Sequence, residues 1–166
     1  MAQVKNPLDN VFKRRHSVRS FLKREVEAEK LEKILETGNS APSAGNLKAR
    51  EIIVVKEPEI KKKLAKAAHG QDFLAEAPLV LVFFSVPSRS ARKYGKRGED
   101  LYSLQDATIS ASFAWLQAVM LGLSCCWVGA FKESQVKDIL GIEKDWHPIA
   151  LLPLGYLAEK LRRPVF

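Results

Sequence analysis

Residues 101–122, LYSLQDATISASFAWLQAVMLG, contain no proline and are apolar around most of a helical circumference. This pattern predicts one long helix with small residues interleaved among large ones. Polar side chains interrupt the apolar run at Gln105, Asp106, Ser110, Ser112 and Gln117. A membrane span is therefore not expected. Because a helix that is apolar all round needs a large core or a second subunit, and the chain has only 166 residues, the segment indicates a dimer interface.

Helix and strand patterns alternate along the rest of the chain. The predicted helices cover residues 7–15, 27–37, 57–70 and 133–141. The predicted buried strands cover residues 51–55, 78–85, 124–131 and 149–157. Four strands among helices are typical of an α+β fold, an α/β sandwich, and the length fits a single domain over residues 1–166.

Three local features refine this prediction. Gly38 is interpreted as the stop signal of the helix over residues 27–37. Residues 86–100 combine proline, serine, glycine and charged residues, and they are predicted to form a mobile loop. Pro153 has no backbone N–H, so the last strand is predicted to lie at a sheet edge or to carry a bulge.

The formal net charge of +8 indicates an anionic partner, and nucleic acid is one candidate. The charges are scattered, however, and no zinc-finger spacing, aromatic RNA-binding signature or heptad repeat accompanies them, which favours a solvated surface. Cys125 and Cys126 are adjacent in an apolar stretch and are predicted to be buried, so neither a metal site nor a disulfide is expected. The first ten residues contain no long apolar run, and a cytoplasmic location is therefore expected.

The stretch RRHSVRSF, residues 14–21, concentrates three arginines ahead of the first clearly periodic helix. If it is extended, its period of two places Arg15, Ser17 and Arg19 on one side of the chain. Two planar guanidiniums with a hydroxyl donor between them can bind a phosphate. On its own, the stretch is explained slightly better as a solvated basic connector.

Three further stretches are ordinary when taken singly. APSAGN (41–46) is a loop of small residues whose backbone amides can approach a flat or phosphorylated ligand, or it is a simple turn. CWVGAF (126–131) contains Gly129, where a backbone can lie against a ring system or form a bulge. GYLAEKLRRP (155–164) places cations after a strand for a second time.

The order and spacing of these stretches resemble the FMN-dependent nitroreductase-like family of NAD(P)H:FMN oxidoreductases. The matching stretches, which together span nearly the whole chain, are RHSVRSF (15–21), APSAGN (41–46), QDFLAEAPLVLVF (71–83), DATISASFAWLQAVMLGLSCCWVGAF (106–131) and LLPLGYLAEKLRRP (151–164). The resemblance implies a central, mostly antiparallel sheet flanked by helices, with the long helix buried at a homodimer interface.

The resemblance also implies FMN as the cofactor, with contacts assigned residue by residue. The residues that match the phosphate and ribityl contacts are Arg15, His16, Ser17 and Arg19, with Lys160 or Arg162 returning to the same phosphate. The residues that match the loop reaching the flavin from the opposite subunit are Pro42, Ser43, Ala44 and Asn46. The residues that match contacts to the flavin ring are Gln71, near the pyrimidine edge, and Gly129 and Ala130, beside the isoalloxazine.

No side chain is expected to act as a catalytic acid or base, because the flavin carries the chemistry. The resemblance implies that NAD(P)H reduces the flavin and that a nitroaromatic, a quinone or free flavin then accepts the electrons, in a ping-pong order. One alternative is a flavin-binding carrier or sensor without reductase activity. A less favoured alternative is a basic nucleic-acid-binding domain.

The chain departs from the family pattern in two places. After the AGN of the small-residue loop the family usually has a Gln, a Pro and an aromatic residue, whereas this chain has Lys48, Ala49 and Arg50. This departure predicts a more basic site. The segment between the second strand and the long helix is short, so the extra helices that cover the site in larger members are not expected, and the pocket is predicted to be more open.

Overall fold

Seven helices and four strands make up the described part of the computed structural model, residues 7–142 and 144–158. The helices are α1 (Pro7–Arg14), α2 (Ala28–Ser40), α3 (Pro58–Ala67), α4 (Phe73–Glu76), α5 (Pro87–Arg97), α6 (Ser103–Met120) and α7 (Glu133–Leu140). The strands are β1 (Arg50–Val55), β2 (Leu79–Ser85), β3 (Ser124–Cys125) and β4 (His147–Gly155). A 3-10 turn over Ala44–Asn46 precedes β1, and a π-helical turn over Gly98–Tyr102 leads into α6.

The strands form one sheet in the order β1-β2-β4-β3, and neighbouring strands are antiparallel. Every residue of β2 is buried, because helices cover both faces of the sheet. The odd-numbered side chains from Leu79 to Phe83 pack with α2 and α6, and the even-numbered ones from Val80 to Phe84 pack with α3, α4 and α7. The structure therefore confirms the predicted α+β sandwich with a central antiparallel sheet.

Pro153 lies in a central strand, so the predicted edge position is wrong, whereas the alternative prediction, a bulge in this strand, is confirmed at a point away from the proline. The strand that contains it, β4, pairs with β2 on one side and with β3 on the other. The register shift of the β2–β4 ladder occurs elsewhere, between Phe83 and Phe84. A central strand tolerates the proline only if no neighbour needs its backbone N–H.

The geometry of β4 shows why the proline is tolerated. Leu151 exchanges both backbone hydrogen bonds with Val128, at 2.9 and 3.0 Å. Alternate residues of a strand direct their backbone groups to the same side, so the missing N–H of Pro153 would face β3 and not β2. The strand predicted over 124–131 is accordingly reduced to Ser124–Cys125 and an isolated bridge at Val128.

Helix α2 continues through Ser40, so the prediction that Gly38 ends it is wrong. A Cβ atom at Gly38 would lie 3.2 Å from Ile52 Cδ1 and 3.4 Å from the Ala114 side chain. The hydroxyl of Ser110 on α6 donates to the Gly38 carbonyl at 2.8 Å. Gly38 therefore serves the close approach of α2 to α6 and not the end of the helix.

Residues 86–100 are not the predicted loop, because α5 and the start of the π-helical turn occupy them. Arg89 of α5 donates hydrogen bonds to the carbonyls of Lys48 and Arg50 and forms an ion pair with Glu51. These bonds attach α5 to the start of β1. Contacts to a distant backbone, and not an apolar periodicity, hold this helix in place, which is why the sequence pattern did not indicate it.

The long helix is confirmed as α6, but its burial within one chain is one-sided. Three of its large apolar side chains remain exposed: Leu104 by 45%, Phe113 by 39% and Met120 by 51%. The neighbouring α1 exposes 58% of Phe12. The small residues that α6 buries on its inner side are Ser103, Ala107, Ser110, Ala111, Ala114 and Ala118.

Among the helices of the described residues, none combines the length and the apolar character that a membrane crossing requires.

A hydrogen-bonded cluster at the start of α2 makes one pH-dependent contribution to stability. The Tyr156 hydroxyl donates to Glu27 at 2.6 Å and, with the help of Arg24 and Lys30, lowers the pKa of Glu27 from 4.5 to about 2. A carboxyl whose pKa is lower in the folded state stabilises the fold fully above about pH 4.5 and loses this effect as the pH falls through about 2.

Tyr156→Phe is therefore expected to lower the melting temperature at neutral pH by more than it does near pH 2. Thermal unfolding followed by circular dichroism over a pH series measures this difference. Glu27→Gln is the control, because it removes the titrating group. A Tyr156→Phe effect of constant size across the series would contradict the assignment.

Candidate functional site

The segment Arg15–Arg19, called the basic strip below, runs beside β3. The Val18 N–H donates to the Cys125 carbonyl at 3.0 Å. Val18 is buried, whereas Ser17 and Arg19 on either side of it are exposed. The predicted alternation therefore holds for these three residues. His16 and Arg15 are half-buried.

The two guanidiniums of the basic strip lie over aromatic rings. The Arg15 guanidinium carbon is 4.9 Å from the ring centroid of Trp115, and that of Arg19 is 5.8 Å from the ring centroid of Phe73. Within residues 7–142 and 144–158, neither arginine has a carboxylate in ion-pair range. Their positive charges are thus oriented but not neutralised, which suits the binding of an anion.

The end of β4 reaches the basic strip. Leu22 donates its N–H to the Tyr156 carbonyl at 2.8 Å, and Ala158 donates its N–H to the Ser20 carbonyl at 3.1 Å. Ala158 is therefore hydrogen-bonded to the residue that follows Arg19 in the sequence, so the end of the described chain lies close to the basic strip. The predicted contacts of Lys160 and Arg162 fall outside the described residues and stay predictions.

Gln71 lies beside Gly129 and Ala130, the residues assigned with it to the flavin ring. The Gln71 side-chain amide donates to the Ala130 carbonyl at 3.2 Å and to the Ala68 carbonyl at 2.9 Å. Gly129 and Ala130 are exposed, and no hydrogen bond among the described residues uses their backbone N–H groups. Since Phe73, two residues after Gln71, contacts Arg19, this group is continuous with the basic strip.

The adjacent cysteines are buried, as predicted, and both are free. Burial raises the pKa of both the Cys125 and the Cys126 thiol. The charge of Arg19 and the hydroxyl of Ser17 oppose the pKa shift of Cys126. The second thiol therefore lies directly beneath the basic strip as part of its packing. No group of three or more metal-ligating side chains occurs in the part of the chain that the structure describes.

The loop Pro42–Asn46 lies at the other end of the sheet. It leads into β1, whose first residue, Arg50, pairs with Ser85 at the end of β2. The basic strip instead lies beside β3, and β3 pairs with the part of β4 that faces the start of β2. The six residue steps of β2 correspond to about 20 Å. A single chain therefore does not bring the loop and the basic strip together.

Asp106 is the site residue that the sequence analysis missed. It is 2% exposed, and its two carboxylate oxygens accept hydrogen bonds from the N–H of Ala44 at 2.9 Å and of Ala49 at 3.1 Å. In the sequence, Asp106 is only one of several polar residues that interrupt an apolar helix. Its partners lie 62 and 57 residues away, so no local pattern indicates the contact.

The departure at residues 48–50 adds less exposed charge than predicted. Arg50 is 3% exposed, and its guanidinium donates to the carbonyls of Asn39 and Ala41 at 2.8 and 2.7 Å. Ala49 is fully buried, and Lys48 alone remains exposed. Arg50 therefore adds no exposed charge to the site, because its charge is directed inward, and the predicted more basic character depends on Lys48 alone.

A cleft of 390 Å³ lies where β2 ends and β4 begins. Glu99, Asp100, Glu133 and His147 are among its lining residues. It is acidic, and it lies at the opposite end of β2 from the basic strip. The cleft is therefore separate from the basic strip, although it lies at the same end of β2 as the loop 42–46.

Comparison with known proteins places these features in a family. The family model described as the nitroreductase family matches residues 12–71 and 68–156. An NADH dehydrogenase of Thermus thermophilus is 29% identical over 174 residues, which cover 89% of this chain and 85% of that protein. The FMN reductase [NAD(P)H] of Bacillus subtilis is 29% identical over 161 residues, covering 87% of this chain but 63% of that protein.

Solved structures agree with the sequence matches. The FMN-dependent nitroreductase from Clostridium difficile R20291 is 30% identical, with a TM-score of 0.80 over 93% of this chain and 90% of that one. The B. megaterium protein NfrA2 is 26% identical, with a TM-score of 0.87 over 96% of this chain and 70% of that one.

Proposed function

The chain belongs to the nitroreductase family, and we propose that it is an FMN-dependent oxidoreductase that uses NAD(P)H to reduce an organic acceptor. One observation carries this proposal. Within the described residues, two oriented arginines without a carboxylate partner lie next to exposed backbone amides that donate no hydrogen bond. The arginines can bind a phosphate, and the backbone amides can bind the polar edge of a ring.

The basic strip supplies the phosphate end. Arg15 and Arg19 present charged donors, and Ser17 presents a hydroxyl between them. His16 is half-buried beside them and supplies a further ring or backbone donor. The approach of Ala158 to Ser20 supports the proposal that Lys160 or Arg162 joins the same phosphate.

Gln71, Gly129 and Ala130 supply the ring end. The backbone N–H groups of Gly129 and Ala130 are exposed, and the Gln71 side chain is hydrogen-bonded to the Ala130 carbonyl beside them. Such donors stabilise the negative charge that a reduced flavin carries. When bound, FMN supplies the hydride chemistry that connects NAD(P)H with a nitroaromatic, a quinone or free flavin. The protein binds and orients, and no side chain is assigned as an acid or base.

A homodimer completes the proposed site. The loop residues Pro42, Ser43, Ala44 and Asn46 lie about 20 Å along the sheet from the basic strip of their own chain, which favours their serving the site of a second subunit. The exposed apolar side chains of α1 and α6 provide a surface for that contact. A cytoplasmic location belongs to the same proposal, because NAD(P)H is a cytoplasmic reductant and both cysteines are free thiols.

The visible spectrum of the purified protein tests this function. We expect a yellow protein, or one that turns yellow when FMN is added, and anaerobic NADH or NADPH should bleach the flavin band. Addition of an acceptor should then restore the flavin band, because a ping-pong reaction consists of two separate half-reactions. A protein that binds FMN but is not bleached by either nucleotide would be a carrier or sensor, and one that takes up no FMN would contradict the proposal.

A further inference from the structure

Asp106 holds the loop 42–46 and the segment that follows it through backbone groups. Its carboxylate accepts from the N–H of Ala44 inside the loop and from the N–H of Ala49 just after it. A buried carboxylate that accepts hydrogen bonds from two N–H groups ties those groups firmly to its own helix. The loop is thereby attached to the first turn of α6.

A buried cation completes this arrangement from the other side. The Arg50 guanidinium binds the carbonyls of Asn39 and Ala41, which lie just before the loop. Two of its other nitrogen atoms are buried without a partner among the described residues. Burial lowers the pKa of Arg50, and the negative charge of Asp106 opposes that shift. Each charge therefore offsets the cost of burying the other.

The segment between these anchors has a backbone conformation that is unfavourable for one of its residues, Lys48. Gly45, Asn46 and Lys48 have φ angles of 56°, 57° and 48°, which lie in the left-handed region. Glycine adopts this region freely and asparagine does so readily, whereas lysine adopts it only at a conformational cost. Without an anchor at both ends, the segment would relax toward ordinary conformations.

We propose that Asp106 is a positioning residue, which holds the loop 42–46 in the shape that the FMN site of the partner subunit requires. The inference rests on the proposed function, because it presupposes an FMN site shared between two subunits. It assigns to Asp106 an effect on the opposite subunit's cofactor, although Asp106 itself touches only the backbone of its own chain.

Asp106→Asn is the first test, because it keeps the shape and removes the charge. The amide has one acceptor oxygen, so one of the two backbone N–H groups would face an NH₂ group instead. FMN dissociation followed by fluorescence is expected to show a Kd raised between about 5-fold and 150-fold. Asp106→Glu, which keeps the charge but moves the carboxylate, provides a second variant with the same expected direction.

Ser110→Ala is the matched control. Ser110 is buried one turn further along α6 and donates to Gly38, so its loss weakens the contact between α2 and α6 without touching the loop. It should leave the FMN affinity unchanged. If a folded Asp106 variant binds FMN like the wild type, or if Ser110→Ala weakens FMN binding equally, the inference is overturned.

Subunit mixing separates a positioning role from a general structural one. Coexpression of Asp106→Asn subunits with Arg15→Ala/Arg19→Ala subunits gives mixed dimers, in which one site combines an intact basic strip with an intact loop. With random pairing, about a quarter of all sites should regain wild-type affinity. No recovery would mean that Asp106 acts within its own subunit, which overturns the inference. A wild-type protein that takes up no FMN would instead contradict the proposed function.

Discussion

Replacing Arg15 and Arg19 together with alanine is expected to abolish FMN retention during purification. Each side chain offers a charge-assisted contact worth about 1 to 3 kcal/mol, so the double variant should raise the Kd for FMN at least about 30-fold. Neither arginine has a carboxylate partner among the described residues, so the loss would come from the missing ligand contacts and not from a broken ion pair.

Arg14→Ala is the control for this experiment. Arg14 is exposed at the last position of α1, next to the basic strip but outside it. Its removal changes the net charge by the same amount as one of the other two replacements. Equal loss of FMN from Arg14→Ala would show that only the overall charge matters. Isothermal titration with FMN measures both effects. If the double variant has an unchanged Kd for FMN, the segment is a solvated connector and not a phosphate site.

Phe113→Glu is expected to yield a folded monomer that no longer binds FMN well. Phe113 lies on the outer side of α6 and is 39% exposed within one chain, between Leu104 and Met120. A charge buried at an apolar interface without a partner costs several kcal/mol, so the dimer Kd should rise at least about 100-fold. Because the loop would then lack a second subunit to serve, FMN affinity should fall together with dimerisation.

Sedimentation velocity measures the assembly, and flavin fluorescence measures the binding of FMN by the same samples. Lys66→Glu provides the control, because Lys66 is an exposed residue of α3, which packs on the opposite face of the sheet from α6. It should remain dimeric and bind FMN. A Phe113→Glu monomer that binds FMN like the wild type would contradict a site shared between subunits.

Much of the fold could be predicted because it depends on local patterns. The apolar runs of β2 and β4 are buried, the run of β1 forms the predicted strand, and the long helix α6 forms where the sequence indicates. The alternation around Val18 was equally local, since an extended chain exposes every second residue. The order of the motifs along the chain was sufficient to indicate the family.

The predictions failed where a distant contact overrides a local signal. Gly38 lies within helix α2, where the absence of a side chain leaves room for Ala114 and Ile52. Residues 86–100 are mostly helical, and Arg89 attaches this helix to the start of β1. Pro153 is tolerated in a central strand because its missing N–H faces β3, and β3 pairs with β4 only at Ser124 and Cys125. In each case the deciding partner lies far away in the sequence.

The sequence by itself determined the family, the α+β class and a basic strip able to bind a phosphate. The tertiary structure alone decided that the loop 42–46 lies at the far end of the sheet and that Asp106 and Arg50 anchor it. The physical reason is that a charge gains its role from burial and from its partners. Both depend on contacts between segments that only the folded chain brings together.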